Sequence, residues 1–435
     1  MNKKGILFLT PGWIPIPTAV SICTKGVAEE LLNDGYNIYV SSLSEDGKRD
    51  TIQEDSLTIY RMRAPIDRFF FSAAELCVEK KRKRILYTTA QIFSKVMRLL
   101  FFAWYPNPNP IFSRKWAESA IEIIEKNDID TVVTLAAPME SLIAGRIIKQ
   151  KKPEIKWIIY QIDNGSHEQR RKSVLVKKLL EAHGMRNVKK QYKRADKIIL
   201  MKNHKVHYDN EFFDDVRNKF IYADVPLLNK MGQFSNEENT GTVKMNSDYE
   251  NWVYAGTISN PYYDPTELCD FFIRYAKGRK ARLHFFGTGD CVDKLNTYQK
   301  QTQGVIQYHG LVKRNELENI YKQADVLVYY KSRSIAGSIS GKFFEYLAAE
   351  KPIVFFSTDI NDINVKNVKK IPYGAVLMNN STDEENFHKI REMLKSVNVC
   401  SCQYAVNLFE DSTPQYTAKI IRNAVEENVE THINV

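Results

Sequence analysis

The chain has 435 residues, of which 43% are hydrophobic, 26% charged and 11% aromatic. That composition fits a folded protein of two or three domains and excludes disordered and collagen-like classes. The formal net charge of +10 lies in the front half: residues 1–225 carry 38 Lys and Arg against 27 Asp and Glu, whereas residues 226–435 carry 24 against 25.

No run reaches the roughly 18 to 20 apolar residues of a membrane-spanning helix. The first apolar run, Ile6–Thr10, stops at Pro11-Gly12. It is too short for a signal-peptide core and reads as a first strand. A helix over Ser21–Asn33 ends at Gly35, and Asn37–Ser42 reads as the next strand. Further strands are expected at Thr131–Leu135, Trp157–Gln161 and Lys197–Met201, separated by helices such as Ala117–Lys126 and Met139–Lys149. This alternation implies a mostly parallel sheet with helices on both faces. Residues 226–250 are polar and read as a linker. The alternation resumes over 251–412, with strands at Trp252–Tyr254, Leu283–Phe286, Ile306–Tyr308, Val326–Tyr329 and Ile353–Phe356. A last helix, Gln415–Glu427 within 413–435, is expected to pack back toward the first domain. The expected fold is α/β: two tandem doubly wound Rossmann-like domains facing across a cleft, with ligands beyond the carboxyl ends of the strands.

Two stretches hold the basic excess. Residues 61–120 contain 12 basic and 4 acidic side chains, with Lys80-Lys81-Arg82-Lys83-Arg84 between Phe69–Phe71 and Leu99–Tyr105; residues 168–194 contain 10 and 2. Cationic heads beside large apolar side chains suit an anionic membrane surface. An amphipathic helix on the core with a solvated basic face is the competing reading. No nucleic-acid recognition motif accompanies the patch. The six cysteines form no CxxC pair, which suits reduced thiols in the cytoplasm. His204 and His207 read as a solvated helix face, not a metal site, and His167 as a loop residue.

Three back-half strands end in glycine: Tyr254-Ala255-Gly256-Thr257, Phe286-Gly287-Thr288-Gly289-Asp290 and Tyr308-His309-Gly310. Backbone without Cβ lets a ligand approach closely, although such glycines also serve tight turns. The sharpest segment runs from Gly337-Ser338-Ile339-Ser340-Gly341-Lys342 through Glu345 to Pro352-Ile353-Val354. Here a Ser/Gly loop opens a helix, so loop hydroxyls, amides and Lys342 can together neutralise a diphosphate. Glu345 lies on the same helix face as Lys342 and could accept both hydroxyls of a ribose. A plain Lys–Glu surface pair is the alternative.

These motifs, in this order, resemble the nucleotide-sugar domain of GT-B glycosyltransferases, in particular family 4 (group 1). The resemblance is strong over about 251–360 and architectural elsewhere. Pro11-Gly12, Ser21 and Ala28–Tyr36 are similar to the family's first loop and helix, and Trp157–Asp163 to its strand ending in an aspartate. The resemblance implies transfer of a sugar from a nucleoside diphosphate sugar (UDP or GDP) with retention, without metal or other cofactor. It places Glu345 on the ribose, and Lys342 with Ser338, Ser340 and Gly341 on the diphosphate. Gly256, Thr257, Gly287, Thr288, Gly289, Tyr308, His309 and Gly310 would line the nucleotide pocket. Asp163 and Lys342 would be catalytic, and Gly12, Ser21 and Asp163 would face the acceptor. The chain departs from many relatives at Gly337, where they carry a second glutamate, and at Thr257, where they carry an arginine.

The expected acceptor is a glycan or a polyprenyl-diphosphate-linked glycan, used in bacterial surface polysaccharide synthesis by a cytoplasmic protein peripheral to the inner face of the membrane. A nucleotide-sugar epimerase and a binding scaffold with a decayed site are the rival readings.

Overall fold

The computed structural model describes residues 5–13, 19–44, 49–54, 56–63, 88–89, 92–93, 96, 100–106, 109–136, 139–162, 174–229, 243–334 and 339–427. It divides into two compact units, one of Met1–Pro226 with Pro414–Val435 and one of Leu227–Thr413.

In the first unit, β1 (Gly5–Thr10), β2 (Asn37–Ser44), β3 (Asp50–Glu54), β4 (Leu57–Arg63), β5 (Ile129–Leu135), β6 (Lys156–Gln161), β7 (Lys197–Met201) and β8 (Phe220–Ala223) form one sheet. Its order is β3-β4-β2-β1-β5-β6-β7-β8. All pairs are parallel except the antiparallel β3–β4 hairpin. All six residues of β1 are buried, as a central parallel strand covered on both faces requires. The chain leaves β1 for β2 on one side and returns as β5 on the other, so the topological switch lies at the carboxyl ends of β1 and β5. The flanking helices include α1 (Ala19–Asn33), α2 (Pro110–Asn127), α3 (Met139–Lys151) and α4 (Val174–Tyr192).

The C-terminal helix Pro414–Glu426 belongs to this unit. It packs on α1, where Gly26 leaves room for the Pro414 ring. Tyr36 donates to Glu426 (2.8 Å) and Arg422 pairs with Asp34 (2.9 Å). The buried Lys156 ammonium donates to the last carbonyls of the helix, those of Ala424 and Val425. A cation there satisfies orphan acceptors and complements the helix dipole.

The second unit contains β9 (Glu250–Ala255), β10 (Ala281–Phe286), β11 (Ile306–Tyr308), β12 (Val326–Lys331), β13 (Ile353–Ser357) and β14 (Gly374–Met378). All pairs are parallel, in the order β11-β10-β9-β12-β13-β14. This is the dinucleotide-fold strand order, with its switch point between β9 and β12. Helix α5 (Gly341–Ala348) follows β12 and buries Phe343, Phe344, Tyr346 and Leu347 against the sheet; α6 (Ile363–Val368) follows β13.

Several elements differ from the sequence expectation. Glu250, read as the end of the linker, opens β9. Strands β3, β4, β8 and β14 were not anticipated. β3 is polar and largely exposed at the sheet edge, so no apolar run marks it. β4 carries Arg61 inward, where two 2.5 Å hydrogen bonds to Asp50 help to compensate its burial. β12 runs two residues further than expected and ends on a buried lysine.

Candidate functional site

The carboxyl edge of the second sheet is built by three interlocked turns. Gly256 N–H donates to the Phe286 carbonyl (2.8 Å), Gly287 N–H to that of Gly310 (2.8 Å), and Ile258 N–H to that of Thr288 (3.0 Å). Tyr308 donates its hydroxyl to the Gly287 carbonyl (3.0 Å). A Cβ on Gly287 would overlap the Gly256 carbonyl oxygen, and one on Gly289 would overlap that of Ile258. Both glycines therefore have a reason within the chain itself, besides any ligand they line. Their missing side chains let neighbouring turns stack backbone on backbone. Nothing lies within 4 Å of the corresponding position at Gly310. Thr257 and Thr288 are exposed on the same rim.

Gly256 serves a different neighbour: a Cβ there would overlap Cε of Lys342. The lysine leaves the first turn of α5 and lies along the bare backbone, with Nζ 5.5 Å from the ring centres of both Tyr254 and Tyr263. Those rings attract the cation through their negative faces. Among the described residues, Nζ makes no hydrogen bond or ion pair. Burial pulls its pKa below the usual lysine range, which nearby Glu345 opposes and Lys331 reinforces. A partly desolvated cation at the switch point, beside a helix N-terminus, is an anion site in its electrostatics. Glu345 is half-buried one turn further along the helix.

The loop that opens α5 is braced by residues the sequence reading missed. Lys331, 1% exposed, places its ammonium 3.4 Å from Asp362, whose side chain is fully buried. Asp362 also accepts from Ser334 (2.8 Å) and from the amide and side chain of Asn364 (2.8 and 2.6 Å). Asn364 in turn accepts from the Ser340 amide (2.9 Å). The Ser340 N–H, expected to hold phosphate, is thus committed to Asn364. The amides of Gly341 and Lys342, in the first turn, have no carbonyl within the helix to bond. Removing either charge of the Lys331–Asp362 pair would leave the other buried and uncompensated, which typically costs about 3–5 kcal/mol.

The remaining expected residues fall elsewhere. Ser338 and Asp163 lie outside the described residues. Gly12 is buried just beyond β1, where Thr10 donates to its carbonyl (3.3 Å), and Ser21 is buried in the first turn of α1. Among the described residues no group of three or more His, Cys, Asp or Glu could hold a metal ion.

Residues 250–396 match the family model described as glycosyl transferases group 1. The lipopolysaccharide outer core galactosyltransferase WaaB superposes with a TM-score of 0.53 at 11% identity, covering 98% of this chain and 99% of that one. The catalytic domain of starch synthase IV from Arabidopsis thaliana, bound to ADP and acarbose, gives 0.56 at 9% identity, covering 99% and 100%. A UDP-forming trehalose-phosphate synthase from Burkholderia xenovorans, in complex with glucose-6-phosphate, gives 0.56 at 10% identity, covering 97% and 99%. No curated protein sequence matches the chain. The fold is that of the GT-B glycosyltransferases, and the matched segment identifies the chain as a glycosyltransferase.

Proposed function

We propose that this glycosyltransferase moves a sugar from UDP or GDP to a glycan or polyprenyl-diphosphate-linked glycan, with retention at the anomeric carbon, in bacterial surface polysaccharide synthesis. The observation that carries the donor assignment is Lys342, a half-buried lysine whose ammonium makes no hydrogen bond or ion pair among the described residues, set against Gly256 at the switch point. Negative charge grows on the bridging oxygen as the diphosphate departs, and a pre-placed cation stabilises it without reorganising. Lys342 holds that diphosphate together with the loop 338–341, and Glu345 accepts the ribose hydroxyls. Asp163 orients the acceptor or offsets positive charge on the sugar, with Gly12 and Ser21 on the acceptor side. No step requires a metal.

The test is to incubate the protein with UDP- and GDP-sugars and lipid-linked acceptors, and to follow the anomeric proton of the product by NMR. Transfer with retained configuration is expected. Inverted product would remove the retaining mechanism, and C2-epimerised free nucleotide sugar would favour an epimerase.

Glu345→Gln isolates the ribose contact. Charge-assisted hydrogen bonds contribute roughly 1.5–3 kcal/mol, so nucleoside diphosphate affinity should fall about tenfold or more. Unchanged affinity in calorimetry would take Glu345 out of the site.

The first unit is proposed to rest on the anionic inner leaflet. Support comes from Leu100, Phe102 and Trp104, which are 66%, 49% and 47% exposed. Their segment is held on α4, where Asn187 donates to the Tyr105 carbonyl (2.6 Å) and His183 stacks on Phe102 (5.1 Å). Residues 81–84 lie outside the described residues. Changing Lys81, Arg82, Lys83 and Arg84 to Gln should reduce sedimentation with phosphatidylglycerol vesicles, and added salt should do the same. Wild-type protein that ignores such vesicles at low salt would overturn this docking.

A further inference from the structure

Two histidines beneath the three turns are joined in a way the donor site does not by itself require. His284 is 1% exposed on β10. Its Nε2 lies 3.0 Å from Asn251 Oδ1, and its Nδ1 lies 2.9 Å from His309 Nε2. His309 follows β11 at the carboxyl edge of the sheet, half-buried, with its ring stacked on Phe286 at 4.6 Å.

The proton positions along this chain follow from its first member. Asn251 Nδ2 donates to the carbonyls of Asn246 (3.0 Å) and Tyr249 (2.8 Å), which fixes the amide orientation. Oδ1 must then accept, so His284 Nε2 carries a proton. His284 is neutral: burial, His309 and Arg282 lower its pKa to about 3. Its Nδ1 is therefore an acceptor, and His309 Nε2 must donate to it. Burial also lowers the His309 pKa, so that ring is neutral as well. Its only remaining polar atom, Nδ1, is an unprotonated acceptor, and among the described residues nothing donates to it.

We propose that His309 is a base-selecting residue, whose Nδ1 is held as an acceptor by the Asn251–His284 relay and receives a ring N–H of the donor nucleobase. The assignment rests on the nucleotide site proposed above and deepens it. Uracil N3–H and guanine N1–H both supply that donor; cytosine presents a lone pair at N3 and adenine one at N1. The relay makes the choice durable, since a His309 tautomer with Nδ1 protonated would set two lone pairs against each other, at His284 Nδ1 or at Asn251 Oδ1. His284 acts through His309 and is a positioning residue.

Calorimetry with UDP, N3-methyl-UDP, GDP, N1-methyl-GDP, CDP and ADP tests the proposal on the wild-type protein. UDP or GDP should bind, and its ring-methylated form should bind about tenfold more weakly or worse, as for a lost hydrogen bond that leaves an acceptor unmet. His309→Phe, which keeps a ring on Phe286, should remove that discrimination. Equal binding of the methylated and parent nucleotides would overturn the His309 assignment while leaving the nucleotide site intact. So would discrimination that persists undiminished in His309→Phe. If none of the six nucleotides binds, the nucleotide site itself falls, and the base assignment with it.

Discussion

Lys342→Met should lower turnover by roughly 100- to 1000-fold, the range found when one pre-placed donor to a developing anion is removed. Methionine keeps the length and apolar stem of lysine, so the packing against Gly256, Tyr254 and Tyr263 is preserved and the charge alone is lost. Nucleoside diphosphate affinity should fall too, by about tenfold or more, since the ground-state diphosphate already meets the ammonium. The larger loss belongs to turnover, because the charge on the bridging oxygen grows toward the transition state. Steady-state kinetics and calorimetry on the same variant separate the two effects. Lysine is also the group whose buried pKa is lowered, so wild-type affinity should decline as pH rises through that lowered value, where the ammonium is lost. The decline should be absent in Lys342→Met.

Gly287→Ala should destabilise the second unit by about 3 kcal/mol. Two costs combine. Gly287 has φ +143°, a backbone region L-residues rarely adopt, at roughly 1–3 kcal/mol. Its new Cβ would also collide with the Gly256 carbonyl, and backbone cannot turn aside as a flexible side chain can. At about 2–4 °C per kcal/mol for a unit of this size, the midpoint should drop by roughly 6–12 °C. Gly310→Ala is the control. Its φ of +78° carries left-handed strain, but nothing lies within 4 Å of the added atom, so a loss of only about 1–2 kcal/mol is expected. Equal melting temperatures for Gly287→Ala and wild type would refute the stacked-turn role of this glycine.

The alternation of strands and helices was legible because strands buried on both faces leave near-continuous apolar runs, such as Trp252–Tyr254 and Ile353–Phe356, which glycine or proline punctuates. β3 left no such trace, since an edge strand of Asp, Thr, Ile, Gln and Glu follows neither period. In the site, Lys342 and Glu345 could be found because one helical turn carries both. The glycines were legible only in part: strand-end position marks where Cβ is forbidden, but not that the chain's own backbone fills the space at Gly287 and Gly289. Lys331 was invisible because a lysine closing a strand normally reaches solvent. What buries it is Asp362, 31 residues later in the sequence, and no local pattern announces that pairing. The His284–His309 contact joins successive parallel strands, a register that becomes definite only when β10 and β11 are aligned in the sheet.

The second unit is proposed to hold a nucleoside diphosphate against Lys342. Thermal unfolding with UDP or GDP, in wild type and Lys342→Met side by side, tests it most directly, because a ligand that binds only the native state raises the midpoint in proportion to ln(1 + [L]/Kd). One of the two nucleotides should raise the wild-type midpoint in a concentration-dependent way, and the same concentrations should leave Lys342→Met nearly unmoved. A midpoint that neither nucleotide shifts, or an equal shift in both proteins, would contradict it.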